Sequence, residues 1–266
     1  SKPADINTKN KDGQTALHLA ARKGHKDIVQ LLISKGADIN IRDNSDQTPL
    51  HLALDKDQKD IVELLISKGA DLNITPGGSS PLLQLVITKG NKELVRLLMS
   101  KGMKINARKD GGDTALQLAV NQGNIEMVEF LISNGADPNV TDKAGNTPLY
   151  SAIKKGYIDI AVLLISKGAD PNIRSKIRRN ATIHIGVYGE RTLGESSLKV
   201  DGYEYDETPL TLALNNSDEG DTELARLLIS KGANVNVENL FKDTPLHRAA
   251  GRGYEDIVRL LISKKA

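Results

Sequence analysis

The stretch TALHLAARKGHKDIVQLLISKGADIN, residues 15–40, carries the pattern that decides the fold of this chain. Its apolar residues recur at helical spacing in two short runs, which Gly24 separates. Thr15 precedes the first run, where its side chain can accept hydrogen bonds from exposed helix amides. Gly36 follows the second run, at the place where a left-handed residue ends many helices. The stretch therefore predicts two short helices joined by a tight turn.

The same pattern returns along the chain at a fixed interval. Helices of about nine residues are only marginally stable alone, so each copy must bury its apolar face against the next. The sequence thus predicts a stack of seven repeats in a single domain, residues 1–266, and residues 1–7 have the pattern of a truncated preceding repeat. The copies open at Thr15, Thr48, Pro81, Thr114 and Thr147 with a spacing of 33 residues, and then at Thr208 and Thr244 after insertions of 28 and 3 residues.

The 33-residue period, the T-P-L-H-like openings and the GADIN-type exits resemble the ankyrin repeat, and the resemblance covers nearly the whole chain. It implies the all-α class, as an α-solenoid with β-hairpin fingers between repeats. The first helices would line a concave face. The resemblance also implies a scaffold that binds a protein or peptide partner through this face and the fingers, without catalysis.

Two repeats depart from the pattern. Repeat three opens at Pro81 in place of threonine and has two glycines, Gly77 and Gly78, in its finger. Because glycine loses much backbone entropy on ordering, we expect a softened repeat there. In repeat seven Lys265 stands where the other six have glycine, and we interpret this as the end of the array.

The insertion before Thr208, about residues 175–206, has a different pattern. Apolar and polar residues alternate over 181–188, residues 189–194 resemble a turn, and the alternation resumes at Leu198. A basic cluster precedes the alternating segment and an acidic cluster closes it. The pattern predicts one finger extended into a long β-hairpin. Three roles stay open for it: recognition of a partner, a flap over the groove, or none.

Binding specificity is expected where the repeats differ, because the core positions are shared. Tyrosine and arginine are over-represented at binding hot spots, and both occur in the insertion. The predicted partner-binding residues of the insertion are Arg178, Arg179, His184, Tyr188, Tyr203 and Tyr205. Those of the other fingers and first helices are Asp110, Asp113, Asn121, Lys143, Asn146, Lys154, Leu240 and Phe241. The last two would either contact the partner or pack on the insertion.

No pattern in the sequence indicates an enzyme. The chain has no cysteine, and no HExxH, GxSxG or phosphate-loop motif is present. His18, His51 and His247 recur at one position of their repeats, and the family resemblance gives this histidine a structural role at the turn. We expect no catalysis, no cofactor and no metal site.

The charge pattern argues against nucleic-acid and membrane partners. The net charge is +2, with both signs mixed along the chain. No apolar run approaches the roughly 18 residues that span a bilayer. Lysines near the ends of the second helices would form a basic ladder, but each also complements a helix dipole. This series is Lys35, Lys68, Lys101, Lys167, Lys231 and Lys264. We expect a cytoplasmic monomer.

Two other roles are compatible with the sequence. The chain begins within a repeat, which would suit a regulatory or targeting segment of a longer enzyme or channel. Its composition would also suit a pathogen or symbiont effector that binds proteins in the cytoplasm of a host cell. The sequence names no partner for any of these roles.

Overall fold

The computed structural model of this chain describes residues 5–72, 74, 82–106, 112–185, 196–215, 219–239 and 242–266. It describes their side chains except those of residues 84, 176–185, 196–206 and 219–221. The chain divides into two compact units, which we name the N-terminal unit (Ser1–Ala136) and the C-terminal unit (Asp137–Ala266). The assignment of all seven repeats to one domain stays a prediction. The Gly-Gly finger and Pro81 of repeat three lie outside the described residues.

The N-terminal unit holds four helix pairs in its described part. The first helices of successive repeats pack against one another, and each contacts the second helix of its own repeat. Leu17 and Leu50 of first helices and Val29 and Val62 of second helices are buried, so the core lies along the seam between the two rows. The helices are α1 (Ala16–Lys23), α2 (Lys26–Ser34), α3 (Pro49–Asp55), α4 (Lys59–Ser67), α5 (Leu82–Thr88), α6 (Lys92–Ser100), α7 (Ala115–Asn121) and α8 (Ile125–Ser133).

The C-terminal unit is built in the same way, with three helix pairs and two strands in its described part. The strands are β1 (Ser175–Ile185) and β2 (Ser196–Glu207), and the helices are α9 (Pro148–Lys154), α10 (Ile158–Ser166), α11 (Pro209–Ala213), α12 (Glu219–Ser230), α13 (Pro245–Arg252) and α14 (Glu255–Ser263). Helix α11 packs between α9 and α13, and α12 packs between α10 and α14. The strands therefore interrupt the chain between two repeats that still contact each other.

Asparagines in the described exit sequences join successive repeats. The Asn7 side-chain oxygen accepts the Asp38 backbone N–H at 2.9 Å, and Asn40 accepts that of Asp71 at 2.8 Å. Asn172 accepts the Asn234 backbone N–H at 2.7 Å and donates to a carbonyl oxygen, that of Gly232, at 3.1 Å. Asn172 and Asn234 are 62 residues apart in sequence. The contact between repeats five and six thus bypasses the insertion.

The inserted segment forms a two-stranded antiparallel sheet. The pairing sets Ser175 opposite Glu207 and continues to Ile185 opposite Ser196, with a register shift between Arg179 and Ala181. The strands extend beyond the alternating pattern, because the basic cluster lies in β1 and the acidic cluster in β2. The register sets residue 176 opposite 206 and residue 178 opposite 204. The residues between the strands, 186–195, lie outside the described part.

The shorter fingers contain no strand in the described residues, so the structure does not confirm the expected β-hairpin form of these fingers. In the finger of repeat two, the Asp43 backbone N–H donates to the Gln47 carbonyl oxygen at 2.9 Å. The Asp43 carboxylate accepts the backbone N–H groups of Ser45 and Gln47, both at 2.9 Å. The side chain satisfies the amides that a strand ladder would otherwise pair.

The turn between the two helices of a repeat requires a left-handed residue. Glycine supplies it at Gly24, Gly90, Gly123, Gly156 and Gly253. In repeat two, however, Asp57 adopts the same conformation with a φ of 52°. Lys265, at the position of the exit glycines, is also left-handed with a φ of 64°, so its side chain does not abolish that turn. Left-handed backbone is unfavourable for residues with a Cβ atom.

We predict that Asp57→Gly stabilises the protein by about 1 kcal/mol, because glycine adopts a left-handed backbone without the Cβ clash. The change removes the Asp57–Lys89 ion pair of 3.6 Å, but exposed pairs of this kind contribute under about 1 kcal/mol. Urea unfolding measures the difference. Asp57→Ala is the matched control, since it loses the same ion pair and keeps the strained turn. Equal stability of the two variants would contradict the prediction.

Candidate interaction surface

The histidines that share one position of their repeats cap the first helices. In repeat one the Thr15 backbone N–H donates to His18 Nδ1 at 3.1 Å, and the Thr15 hydroxyl lies 2.9 Å from the same atom. His18 Nε2 lies 3.1 Å from the carbonyl oxygen of Gln47. Because Nδ1 accepts from a backbone amide, the ring proton is on Nε2, which donates to Gln47. His51 and His247 make the same contacts with Thr48 and Thr244. The expected structural role is confirmed.

Burial keeps the histidines of repeats one and two neutral. His18 is fully buried, and 2% of the His51 surface is exposed. Desolvation is the main cause that lowers the pKa of His18, and it lowers the pKa of His51 to about 4. The backbone contacts of the rings oppose this shift only in part. In repeat four Gln117 takes the same position, and its Oε1 accepts the Thr114 backbone N–H at 2.9 Å without any titration.

The structure joins two of the predicted binding residues directly. In repeat four Asn121 Nδ2 donates to Asp113 Oδ2 at 3.1 Å, so the end of α7 is tied to the base of the preceding finger. In repeat five Asn146 donates to Asp142 Oδ2 at 3.0 Å within its own finger. The side chains of Lys143 and Lys154 are exposed.

Most of the other predicted binding residues lie wholly or partly outside the described part of the structure. Asp110, Tyr188, Leu240 and Phe241 lie outside the described residues. Five more lie in the paired strands, where the structure describes the backbone alone: Arg178, Arg179, His184, Tyr203 and Tyr205. As binding residues, all of them stay predictions.

Tyr150 occupies the histidine position of repeat five but makes a different contact. Its side chain is 1% exposed, and its hydroxyl donates to Glu207 Oε2 at 3.0 Å. Glu207 is the last residue of β2 and is itself 3% exposed. Its other carboxylate oxygen accepts from Asn215 Nδ2 at 2.7 Å. A buried carboxylate with a donor on each oxygen therefore anchors the end of the inserted sheet to the helices on either side.

Asn215, which follows α11, also accepts hydrogen bonds from two arginines of α13. Arg248 Nη1 donates to the Asn215 side-chain oxygen, and Arg252 Nη2 donates to its carbonyl oxygen. Arg248 is half-buried and Arg252 is exposed. A polar network thus runs along the first helices of repeats five, six and seven, from Tyr150 to α13.

None of the five members of this network stands out as a binding residue in the sequence. Apart from the Asn215–Glu207 bond, which spans 8 residues, its contacts join positions that are 33 to 57 residues apart along the chain, and no local pattern links them. One local signal does exist. Tyr150 replaces a capping histidine, and a tyrosine cannot accept a bond from the Thr147 backbone in the way that an imidazole does. Because the Tyr150 side chain cannot complete the cap at Thr147, it is expected to bond to a different residue.

The lysine series lies at the helix ends, as the sequence predicted. Lys35, Lys68, Lys101, Lys167 and Lys264 are C-cap residues of their helices and are exposed. The Asp38 and Asp170 carboxylates in the following exits accept backbone amides two residues further on. Each lysine therefore lies where a positive charge complements the helix dipole.

A family model described as ankyrin repeats matches the chain three times, over residues 2–76, 82–175 and 190–266. The chain belongs to the ankyrin repeat family. A protein of Acanthamoeba polyphaga mimivirus that carries the name of an ankyrin repeat protein is 31% identical over 71 residues. This match covers 27% of the present chain and 44% of that relative, so it spans less than half of the relative's length.

Ankyrin repeats are generally protein–protein interaction modules, and the family is typically non-catalytic. In the described part of this ankyrin repeat protein, no group of three or more histidine, aspartate or glutamate side chains is arranged to hold a metal ion. None of the helices in that part combines the length and apolar character needed to cross a membrane.

We predict that His51→Gln makes this ankyrin repeat protein less sensitive to acid. The native state holds His51 neutral to about pH 4, whereas the unfolded chain binds a proton near pH 6.5. Stability from this group is therefore complete above pH 6.5 and is lost as the pH falls towards 4. The loss is on the order of 3 kcal/mol. Urea unfolding of wild type and variant at pH 7.5 and 4.5 measures it.

The matched control for this experiment is His247→Gln, which makes the same exchange at an exposed ring. Gln117 shows that glutamine can form the cap, so both variants should fold. If the two substitutions change the acid dependence equally, burial of His51 is not its cause.

We predict that Tyr150→Phe destabilises the C-terminal unit by about 2 kcal/mol, since it removes a donor from a buried carboxylate. Tyr157→Phe is the control, because the Tyr157 hydroxyl forms no hydrogen bond with a described residue. Thermal unfolding compares the two variants. Equal melting temperatures would show that the Tyr150–Glu207 bond contributes no stability.

Proposed function

We propose that this ankyrin repeat protein is an interaction scaffold that binds a folded protein or a peptide and catalyses no reaction itself. The binding residues lie in the fingers and first helices of repeat four, in the N-terminal unit, and of repeats five to seven, in the C-terminal unit, together with the inserted segment, residues 175–206, which we name the long finger. The partner is a protein and not a nucleic acid or a membrane. The scaffold acts as a monomer in the cytoplasm.

The observation that carries this proposal is the contact between repeats five and six. Asn172 bonds directly to residues 232 and 234, and α11 packs on α9, although the long finger separates the two repeats in sequence. Stacking therefore does not require the long finger. A segment that the stack does not need, and that is attached firmly at Glu207, is suited to contact a partner.

The thermodynamics of the long finger also support a binding role. Extending a loop from about 12 to about 40 residues costs only about 1 kcal/mol of closure entropy. The repeat stack can therefore carry such a segment at little loss of stability. The segment contains the predicted hot-spot residues Tyr188, Tyr203 and Tyr205, and tyrosine supplies large contact area with few rotatable bonds.

The exposed lysines extend this surface along repeat five. Lys143 lies in the finger and Lys154 at the end of α9, and both side chains are exposed. In repeat four, Asp113 and Asn121 occupy the positions that Asn146 and Lys154 hold in repeat five, and there they bond to each other. The pair differs in charge between repeats while the fold around it is the same, as expected of a surface that selects a partner.

We predict that the long finger contributes to partner binding more than to stability. The test replaces residues 175–206 by Asp-Asn-Ser-Asp, the finger sequence of residues 43–46, which restores the 33-residue spacing and keeps Glu207. Unfolding free energy should change by only about 1 kcal/mol. Affinity for a partner isolated with the intact chain should fall by about tenfold or more, because each lost hot spot costs about 2 kcal/mol.

The control places the same four residues at positions 10–13, the finger of repeat one. We expect this exchange to leave the affinity unchanged. If the long-finger exchange unfolds the C-terminal unit, the segment is structural. If it leaves partner binding intact, the proposed recognition role is wrong.

A further inference from the structure

Two arginines lie one helical turn apart on α13. Arg248 and Arg252 have the i, i+4 spacing that places side chains on one face of a helix. Both guanidinium groups reach the same residue, Asn215, through its side-chain oxygen and its carbonyl oxygen. The two positive charges are therefore held close together. Like charges at this spacing destabilise a helix unless an anion lies near them.

The network behind Asn215 fixes the position of these arginines. Asn215 Nδ2 donates to Glu207 at 2.7 Å, and the Tyr150 hydroxyl donates to the same carboxylate at 3.0 Å. Glu207 is 3% exposed, so neither of its oxygens faces solvent. It orients Asn215, and Asn215 in turn orients Arg248 and Arg252. Because side chains that are already ordered lose less entropy on binding, this arrangement favours a ligand for the guanidinium groups.

The arginines retain unused donors. A guanidinium group has five N–H donors, and the contacts within the described residues use one from each arginine, both with a neutral acceptor. No described carboxylate lies within ion-pair distance of Arg248 or Arg252. By contrast, Arg226 and Arg259 on second helices each pair with acids, at 2.7 Å to Asp256 and 2.6 Å to Glu255. Among the described residues, no acid therefore neutralises the charge on α13.

The first helices of the C-terminal unit carry no negative charge. The helices α9, α11 and α13 have the sequences PLYSAIK, PLTLA and PLHRAAGR, which contain no acidic residue. Lys154 is exposed at the end of α9. In the N-terminal unit α3 ends in Asp55, which pairs with Lys56 at 3.0 Å, whereas α1 ends in the basic residues Arg22 and Lys23.

We infer that the first helices of the C-terminal unit bind an acidic, carboxylate-rich segment of the partner protein, with Arg248 and Arg252 as the main contacts. We name this surface the basic row, consisting of Lys154, Arg248 and Arg252. Arginine recognises carboxylates through paired hydrogen bonds, and the two fixed guanidinium groups present such donors side by side. Lys154 lies further along the row, so an extended acidic peptide is the occupant that fits. This inference rests on the proposed function and names the chemistry of the partner.

A nucleic acid is the competing occupant, and the described side chains disfavour it. Single strands bind where aromatic rings stack on the bases. The three first helices contain one aromatic residue, Tyr150, and it is buried and bonded to Glu207. The row therefore offers positive charge without a stacking surface.

The test uses a fluorescently labelled peptide of eight glutamates as the probe and the full chain as the receptor. Anisotropy at low salt should show binding, and a peptide of eight glutamines should show none. Arg252→Gln should weaken binding by about tenfold, the order expected for loss of a charge-assisted contact. Arg252→Lys should weaken it less, since lysine keeps the charge without the planar fork. Arg252 is exposed, and thermal unfolding checks that each variant is folded.

The matched control is Arg259→Gln, which removes the same charge from an exposed position on the second helix α14. It should leave the affinity for the glutamate peptide unchanged. Equal weakening by both substitutions, or no binding of the peptide, would overturn the inference. So would an oligonucleotide of eight phosphates that binds more tightly than the peptide in an Arg252-dependent way. If any one of these three results is obtained while the intact chain still binds a protein partner, only this inference fails and the proposed function stands.

Discussion

Within each of the two units, a helix pair completes its buried face by contact with a neighbouring pair along the chain. Most of the helices have seven to nine residues, a length that is marginal in isolation. Val29, Val62, Val95 and Val128 are fully buried because the first and second helices of their repeats and neighbours close around them. Since this burial recurs in each repeat, surface residues are free to vary without loss of the core.

Asparagines at the repeat exits add hydrogen bonds between successive repeats to the apolar contacts of the helices. Asn139 accepts the Asp170 backbone N–H and donates to the Gly168 carbonyl oxygen, as Asn172 does with repeat six. The backbone groups at the helix ends would otherwise lack partners within the protein. Because one side chain spans the gap, the loop between the repeats does not need to hold them together. The long finger can therefore be longer than the other fingers while the repeats remain in contact.

A single position of the repeat shows how a structural residue can acquire another role. Histidine at this position caps its own helix in repeats one, two and seven, and Gln117 does the same in repeat four. Tyr150 is too long for the reciprocal cap and instead reaches Glu207 in the next repeat. That contact fixes Asn215 and, through it, the arginines of α13. The anchor of the long finger and the orientation of the basic row thus depend on the same buried carboxylate.

Local patterns in the sequence determined the repeats of this protein. The 33-residue period, the capping threonines and the left-handed glycines depend on residues close together in sequence, and each helix pair formed where they indicated. The role of His18 and its equivalents was also predictable, because its cap lies three residues away. The shorter fingers were not, since the Asp43 side chain competes with strand pairing for the same amides.

Tertiary structure alone decided which distant residues meet. Asn172 and Asn234 are 62 residues apart, Tyr150 and Glu207 are 57 apart, and Arg248 and Asn215 are 33 apart. Except at Tyr150, which replaces a capping histidine, no local pattern indicates which distant residue each of them contacts. Their contacts arise because stacking brings equivalent positions of successive repeats side by side. The sequence determined the repeated element, and the stack determined which variable side chains share a surface.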